Sequence, residues 1–285
     1  MLALYALWPA FREAEGMEPA WKFITFVLNL SIDYTQHAAF SHAWSLCVEE
    51  HFYWLFPLLA VALQRRPAAW KFAALGAVVG LGGIALRAAI WQHDMATDPQ
   101  MVRNWFVEDL YYPTWTRLDG LLAGVALAAW KTMRPASWSN ARRHADRFLA
   151  GGAAMMALAF WLFQDRVGLL ANTIGWPVLS CALGLLVFAG AGRDSLLGRW
   201  KLPLAGGLAA ISYSLYLVHK ATYHLVQSHW GAQLEGTGLF AFAVYGGTAL
   251  LAGAALHFAV ERPFLQLRRH LPTRPGPWPA ARPLS

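Results

Sequence analysis

Residues 72–91 read FAALGAVVGLGGIALRAAIW, twenty positions with a single charge, Arg87. About 20 apolar residues in a helix suffice to cross the roughly 30 Å hydrocarbon core of a bilayer. A soluble helix of that length would carry a polar stripe, and this one has none. Similar runs recur at 44–63, 116–130, 148–163, 169–190, 204–227 and 238–260, so seven full spans are expected. The expected fold class is all-α, a polytopic transmembrane helical bundle of about seven full spans plus partial N-terminal helices. Residues 1–43 read as the remnant of an earlier helix, a loop and a short half-inserted or interfacial helix at 21–30. Residues 44–264 read as the membrane core, and 265–285 as a disordered, basic, Pro-rich tail.

Composition agrees. The chain has 285 residues, 57% hydrophobic and 14% charged, against about 25% charged in soluble domains. That is too little charge to cover a soluble exterior. Fifteen Trp, sixteen Phe and nine Tyr supply an aromatic load suited to membrane interfaces. Cys47 and Cys181 sit inside apolar runs, with neither metal spacing nor a disulfide framework.

The formal charge of +7 is unevenly placed. The linkers 64–71, 131–147 and 193–201 and the tail from Arg262 hold sixteen basic residues, whereas 92–113, 164–168 and 228–237 hold only Arg103 and Arg166. By the positive-inside rule the base-rich loops and the C-terminus are cytoplasmic. Nucleic acid is excluded as a partner, because the basic residues lie on separate loops rather than on one folded face. The lipid bilayer is the expected partner.

Ionisable residues within spans are costly and often functional. Glu49, Glu50, Arg87, Arg117, Asp119 and His219 all fall in the extracytoplasmic half, given these directions. Ser212, Tyr216, His219 and Tyr223 share one helical face, and so do Ser45 and Glu49. Arg87 and Arg117 read equally as structural ion pairs, Lys220 as a snorkelling residue, and Gly120 with Gly124 as a close-packing seam.

Four segments resemble, in order, the acyltransferase-3 family of integral membrane O-acyltransferases. His42-Ala43-Trp44-Ser45-Leu46-Cys47-Val48-Glu49-Glu50-His51-Phe52-Tyr53, followed by Pro57, is similar to its first signature. Thr116-Arg117-Leu118-Asp119-Gly120-Leu121-Leu122-Ala123-Gly124, Ile211-Ser212-Tyr213-Ser214-Leu215-Tyr216-Leu217-Val218-His219 and Val260-Glu261-Arg262-Pro263-Phe264 are similar to the next three. The resemblance implies an acyltransferase-like core over 44–264 in a bacterial inner membrane. It implies acyl-CoA (acetyl-CoA) as donor substrate on the cytoplasmic side, with no bound cofactor or metal, and a glycan or lipid-linked sugar as acceptor.

Glu49, His219 and Arg117 are then the expected catalytic residues. Ser45, Trp44, His42, Asp119, Tyr216 and Ser212 are the expected substrate-binding residues. His42 reads also as a helix-entry hydrogen-bonding residue, and Glu261 as the partner of a cytoplasmic Arg. The family begins with a helix bearing a basic residue and a catalytic histidine, which this sequence lacks, so an N-terminally truncated member is expected. That departure leaves open a catalytically inactive membrane remnant or binding subunit. A transporter would need ionisable groups along the whole path through the bilayer, and the inner halves of these spans have none.

Overall fold

A computed structural model describes residues 1–64, 69–200 and 203–270; among the described residues there is no strand. Arg65, Arg66, Lys201 and residues 271–285, which carry part of the expected cytoplasmic charge, lie outside the described residues. The α-helices in order are α1 Leu2–Leu7, α2 Ala20–Ile24, α3 Trp44–Gln64, α4 Ala69–Thr97, α5 Leu118–Met133 and α6 Pro135–Arg142. They continue with α7 Ala145–Leu162, α8 Trp176–Gly190, α9 Leu196–Arg199, α10 Ala205–Leu234, α11 Leu239–Leu256 and α12 Arg262–His270. Three π-helical turns interrupt the regular winding, at Phe106–Tyr111, Ala171–Gly175 and His257–Glu261.

Each of the seven expected spans falls on a helix. Four helical stretches are long and apolar enough to cross a membrane by length and composition: Trp70–Thr97, Ala145–Leu162, Ala171–Gly190 and Leu239–Arg268. Their apolar side chains face outward. Phe160, Trp161, Val187, Phe242 and Leu251 are all exposed, and only 11% of the Trp70–Thr97 window is buried. Water would penalise such a surface, whereas lipid solvates it.

The stretch 21–30 is not one helix. Helix α2 ends at Ile24, Phe26 adopts a left-handed conformation (φ 57°), and Leu28–Leu30 form a 3-10 turn. A non-glycine residue in that region stops an α-helix. Within the stretch read as a tail, α12 continues to His270.

The chain divides into two compact units. The larger holds residues 14–202, with Leu2; the smaller holds Met1, residues 3–13 and residues from 203 onward. In the larger unit, α7 and α5 both pack on α8, and α4 packs on α5 and on the turn Ala171–Gly175. The seam between α5 and α8 runs through Gly120 beside Ser180 and through Ala123 and Leu127 beside Gly184. Gly124, expected in this seam, faces open space. Where α5, α6, α7 and α8 meet, Trp130 stacks on Phe188 (5.1 Å) and Trp138 meets the same ring edge-on at 4.6 Å. Arg142 closes that cluster by donating to the Phe188 carbonyl and pairing with Asp194 at 2.8 Å.

In the smaller unit α10 packs along α11, and the 3-10 turn Pro9–Phe11 packs on α10. The α10–α11 approach depends on one glycine. A Cβ at Gly253 would lie 2.9 Å from the Leu215 Cα, a backbone atom that cannot move aside alone. Gly253→Ala should therefore force the two helices apart and cost about 1–3 kcal/mol. The apparent unfolding temperature in detergent measures it. Gly247→Ala, where nothing lies within 4 Å, should leave that temperature unchanged; equal behaviour of the two variants would contradict the close approach.

Candidate active site

In the larger unit the central polar contact is Arg87 with Asp119. Arg87 is 1% exposed and Asp119 9%. One Arg87 amino nitrogen donates to Asp119 Oδ2 at 2.7 Å and to the Thr116 carbonyl at 3.0 Å. The other lies 3.4 Å from Asp119 Oδ1 and 3.4 Å from the Thr173 carbonyl. One guanidinium thus ties α4 to the entrance of α5 and to the π turn before α8. Both oxygens of Asp119 are engaged by Arg87.

Arg117 stands at the N-terminal boundary of α5, in the corner between two aromatic rings. Its guanidinium carbon is 3.9 Å from the Tyr111 ring centre and 3.6 Å from that of Trp176, and the two centres are 5.7 Å apart. Its Nε donates to the Tyr111 carbonyl, and the Trp44 ring lies 5.4 Å away. Trp44 stacks on Tyr112 at 5.1 Å. Both rings of the corner are placed by π turns, Tyr111 ending the first and Trp176 following the second. Cation–π contacts out of water hold a guanidinium strongly.

Around this corner, His42 is buried with its ring edge on Phe40 at 5.1 Å. Ser45 is half-buried in the first turn of α3. One turn on, Glu49 is exposed, and among the described residues it makes no hydrogen bond or ion pair, with Arg117 or otherwise. Thr114 Oγ1 accepts from Asn29 Nδ2 at 2.8 Å and lies 2.7 Å from His51 Nδ1. Arg103 bridges Glu108 at 2.8 Å and Asp109. Asp109 and then Glu108 hold the Arg103 guanidinium charged well beyond its ordinary range.

In the smaller unit His219 Nδ1 lies 2.7 Å from the Tyr216 carbonyl. A carbonyl can only accept, so the ring proton sits on Nδ1 and the basic lone pair of the neutral ring is on Nε2. Ser212, Tyr216, His219 and Tyr223 line one cavity of about 710 Å³, opposite Gly246 and Gly247 of α11. Glu261 departs from expectation. No Arg holds it among the described residues; its Oε2 accepts from Ser214 Oγ at 2.6 Å and lies 3.0 Å from His257 Nδ1. The π turn His257–Glu261 brings these two side chains together.

Of the expected site residues, the structure places Trp44 beside Arg117 and gathers Ser212, Tyr216 and His219 on one cavity. Tyr111 and Trp176 belong to no motif in the sequence, although the dipeptide Tyr111-Tyr112 before Pro113 is a visible aromatic signal, and Arg166 stands out there only as one of two basic residues in the base-poor loops. Among the described residues, no group of three His, Cys, Asp or Glu could hold a metal ion.

A family model described as an acyltransferase domain matches residues 1–257. YrhL of Bacillus subtilis, provisionally assigned as a peptidoglycan O-acetyltransferase, is 27% identical over 255 residues, which cover 85% of this chain and 37% of that protein. The O-acetyltransferase OatA of Staphylococcus aureus is 27% identical over 211 residues, covering 71% of this chain and 33% of its own. The chain spans about a third of the length of these curated relatives. No solved structure matches.

Arg87→Leu leaves Asp119 buried without its partner, and breaking such a pair costs about 3–5 kcal/mol. The apparent unfolding temperature should fall sharply, and the double variant Arg87→Leu with Asp119→Leu should recover much of the loss. Two additive decreases would mean that the pair is not coupled.

Proposed function

The chain belongs to the acyltransferase family whose domain covers residues 1–257, and from that premise we propose that it is an integral membrane O-acyltransferase acting on a cell-envelope glycan. The donor is acyl-CoA, with acetyl as the acyl group, and the acceptor is a sugar hydroxyl. Similarity to YrhL, provisionally assigned to peptidoglycan O-acetylation, and to the O-acetyltransferase OatA supports this choice. The sixteen-to-two division of basic residues between loops supports an inner-membrane protein with the C-terminus cytoplasmic. Acyl-CoA then approaches from the cytoplasm.

The observation that carries the reading is the His219 imidazole. Its Nδ1–H is held by the Tyr216 carbonyl, so the ring is oriented and Nε2 is its base. In transfer, Nε2 takes the acceptor hydroxyl proton as the oxygen attacks the thioester carbonyl carbon. A C–O bond forms, the tetrahedral oxyanion collapses, and the C–S bond breaks. The CoA thiolate leaves with the proton returned by the imidazolium, and the histidine ends neutral. Tyr223, on the same cavity, is a hydroxyl donor for the oxyanion, whereas the Ser212 hydroxyl is donated to the Ala209 carbonyl at 2.9 Å.

The larger unit, taken by itself, offers Arg117 with Trp44 as a surface that suits a sugar ring, with Ser45 and Glu49 as hydrogen-bonding groups in the first turns of α3. Asp119 acts at one remove, by holding Arg87.

Membranes carrying the protein, supplied with labelled acetyl-CoA and cell-wall glycan, provide the test. His219→Gln should lower transfer by about 10²–10⁴-fold, at unchanged protein abundance. Glu49→Gln should raise the acceptor KM and leave kcat nearly unchanged. Wild-type turnover by His219→Gln would remove His219 from the chemistry.

A further inference from the structure

Two guanidinium groups share the Tyr111 ring. Arg117 lies 3.9 Å from its centre and Arg166 lies 5.3 Å from it, with Arg166 also 5.4 Å from the Phe106 ring centre. Neither makes an ion pair among the described residues. Of the five N–H donors of Arg117, only Nε has an acceptor among the described residues, the Tyr111 carbonyl. The remaining four point along the edge of a group already held by two rings. The Arg166 side chain has no hydrogen bond or ion pair among the described residues.

Nearby carboxylates are already engaged. Asp119 is held by Arg87, Glu108 and Asp109 are held by Arg103, and Asp165 accepts from the Gly168 backbone N–H at 3.0 Å. Arg103 and Arg166 are the only Lys or Arg residues of the base-poor loops; Arg103 pairs with Glu108 and Asp109, and Arg166 makes no ion pair among the described residues.

Arg166 is also firmly displayed. Asn172 Nδ2 donates to the Arg166 carbonyl at 3.1 Å and to the Gly168 carbonyl at 2.9 Å, and Trp91 Nε1 donates to the Val167 carbonyl at 2.7 Å. The loop backbone is pinned by three hydrogen bonds from two side chains while the Arg166 side chain stays exposed. Two like charges on one ring repel, and an anion between them relieves that repulsion while filling vacant donors.

We propose that Arg117 and Arg166 together bind an anionic group of the acceptor, a carboxylate or a phosphate, and that Arg166 sets the preference for charged over neutral sugars. This rests on the reading of the chain as a glycan acyltransferase, but it is testable without acyl transfer. Trp44, stacked on Tyr112, supplies an aromatic surface beside Arg117 for the apolar face of a sugar ring.

Calorimetric titration of the detergent-purified protein, with no acyl donor present, compares glucuronic acid, N-acetylglucosamine 1-phosphate and N-acetylglucosamine. At least one anionic sugar should bind about tenfold or more tightly than the neutral one. The tighter of the two anions distinguishes a sugar acid from a phosphate-linked sugar. Arg166→Gln should bring the anionic sugar to the neutral level, and Arg166→Lys should keep part of the difference. Equal affinity for charged and neutral sugars, no binding of any of them, or an anion affinity within twofold of wild type in Arg166→Gln would overturn the proposal. Loss of acetyl transfer with the anion preference intact would instead count against the function proposed above.

Discussion

Lipid supplies no hydrogen bonds, so a charge at membrane depth must be answered from within the protein. Arg87 is answered by Asp119 and by the carbonyls of Thr116 and Thr173. Those acceptors come from the entrance to α5 and from the turn that leads into α8. The position of Trp176, one wall of the corner around Arg117, therefore follows from where Arg87 finds its acceptors. Without that contact three elements of the larger unit would lose their common anchor, and the aromatic corner would lose its shape.

The three π-helical turns belong to the same account. A π turn adds a residue to one helical repeat, so side chains that regular winding would set apart arrive at one point. One such turn ends in Tyr111, another precedes Trp176, and the third pairs His257 with Glu261. All three lie beside polar or charged groups that apolar surroundings would otherwise strand.

Much of the architecture could be read directly from residue order. Runs of apolar residues marked seven helical stretches among the described residues, four of them long and apolar enough to cross a membrane, because length and hydropathy are local properties. The stripe of Ser212, Tyr216, His219 and Tyr223 was legible for the same reason: it follows from the helical period alone. What escaped was contact across π turns. Tyr111 and Trp176 are 65 positions apart in the chain, and nothing local announces that both will flank Arg117. Glu261 misled because an Arg is its immediate neighbour in sequence, whereas helical geometry sets His257 on its side and Ser214 opposite. The break at Phe26 was likewise hidden, since the residue has no composition that marks a left-handed conformation.

Helix α10 has 30 residues, about 45 Å at 1.5 Å per residue, and exceeds a hydrocarbon core of about 30 Å. It must lean or project beyond the acyl chains. His219 stands at its midpoint, where lean changes depth least, so its distance below the headgroups follows half the bilayer thickness. A thicker bilayer would sink the imidazole further and a thinner one would bring it nearer the headgroups, making lipid chain length a lever on how readily a water-borne hydroxyl reaches it.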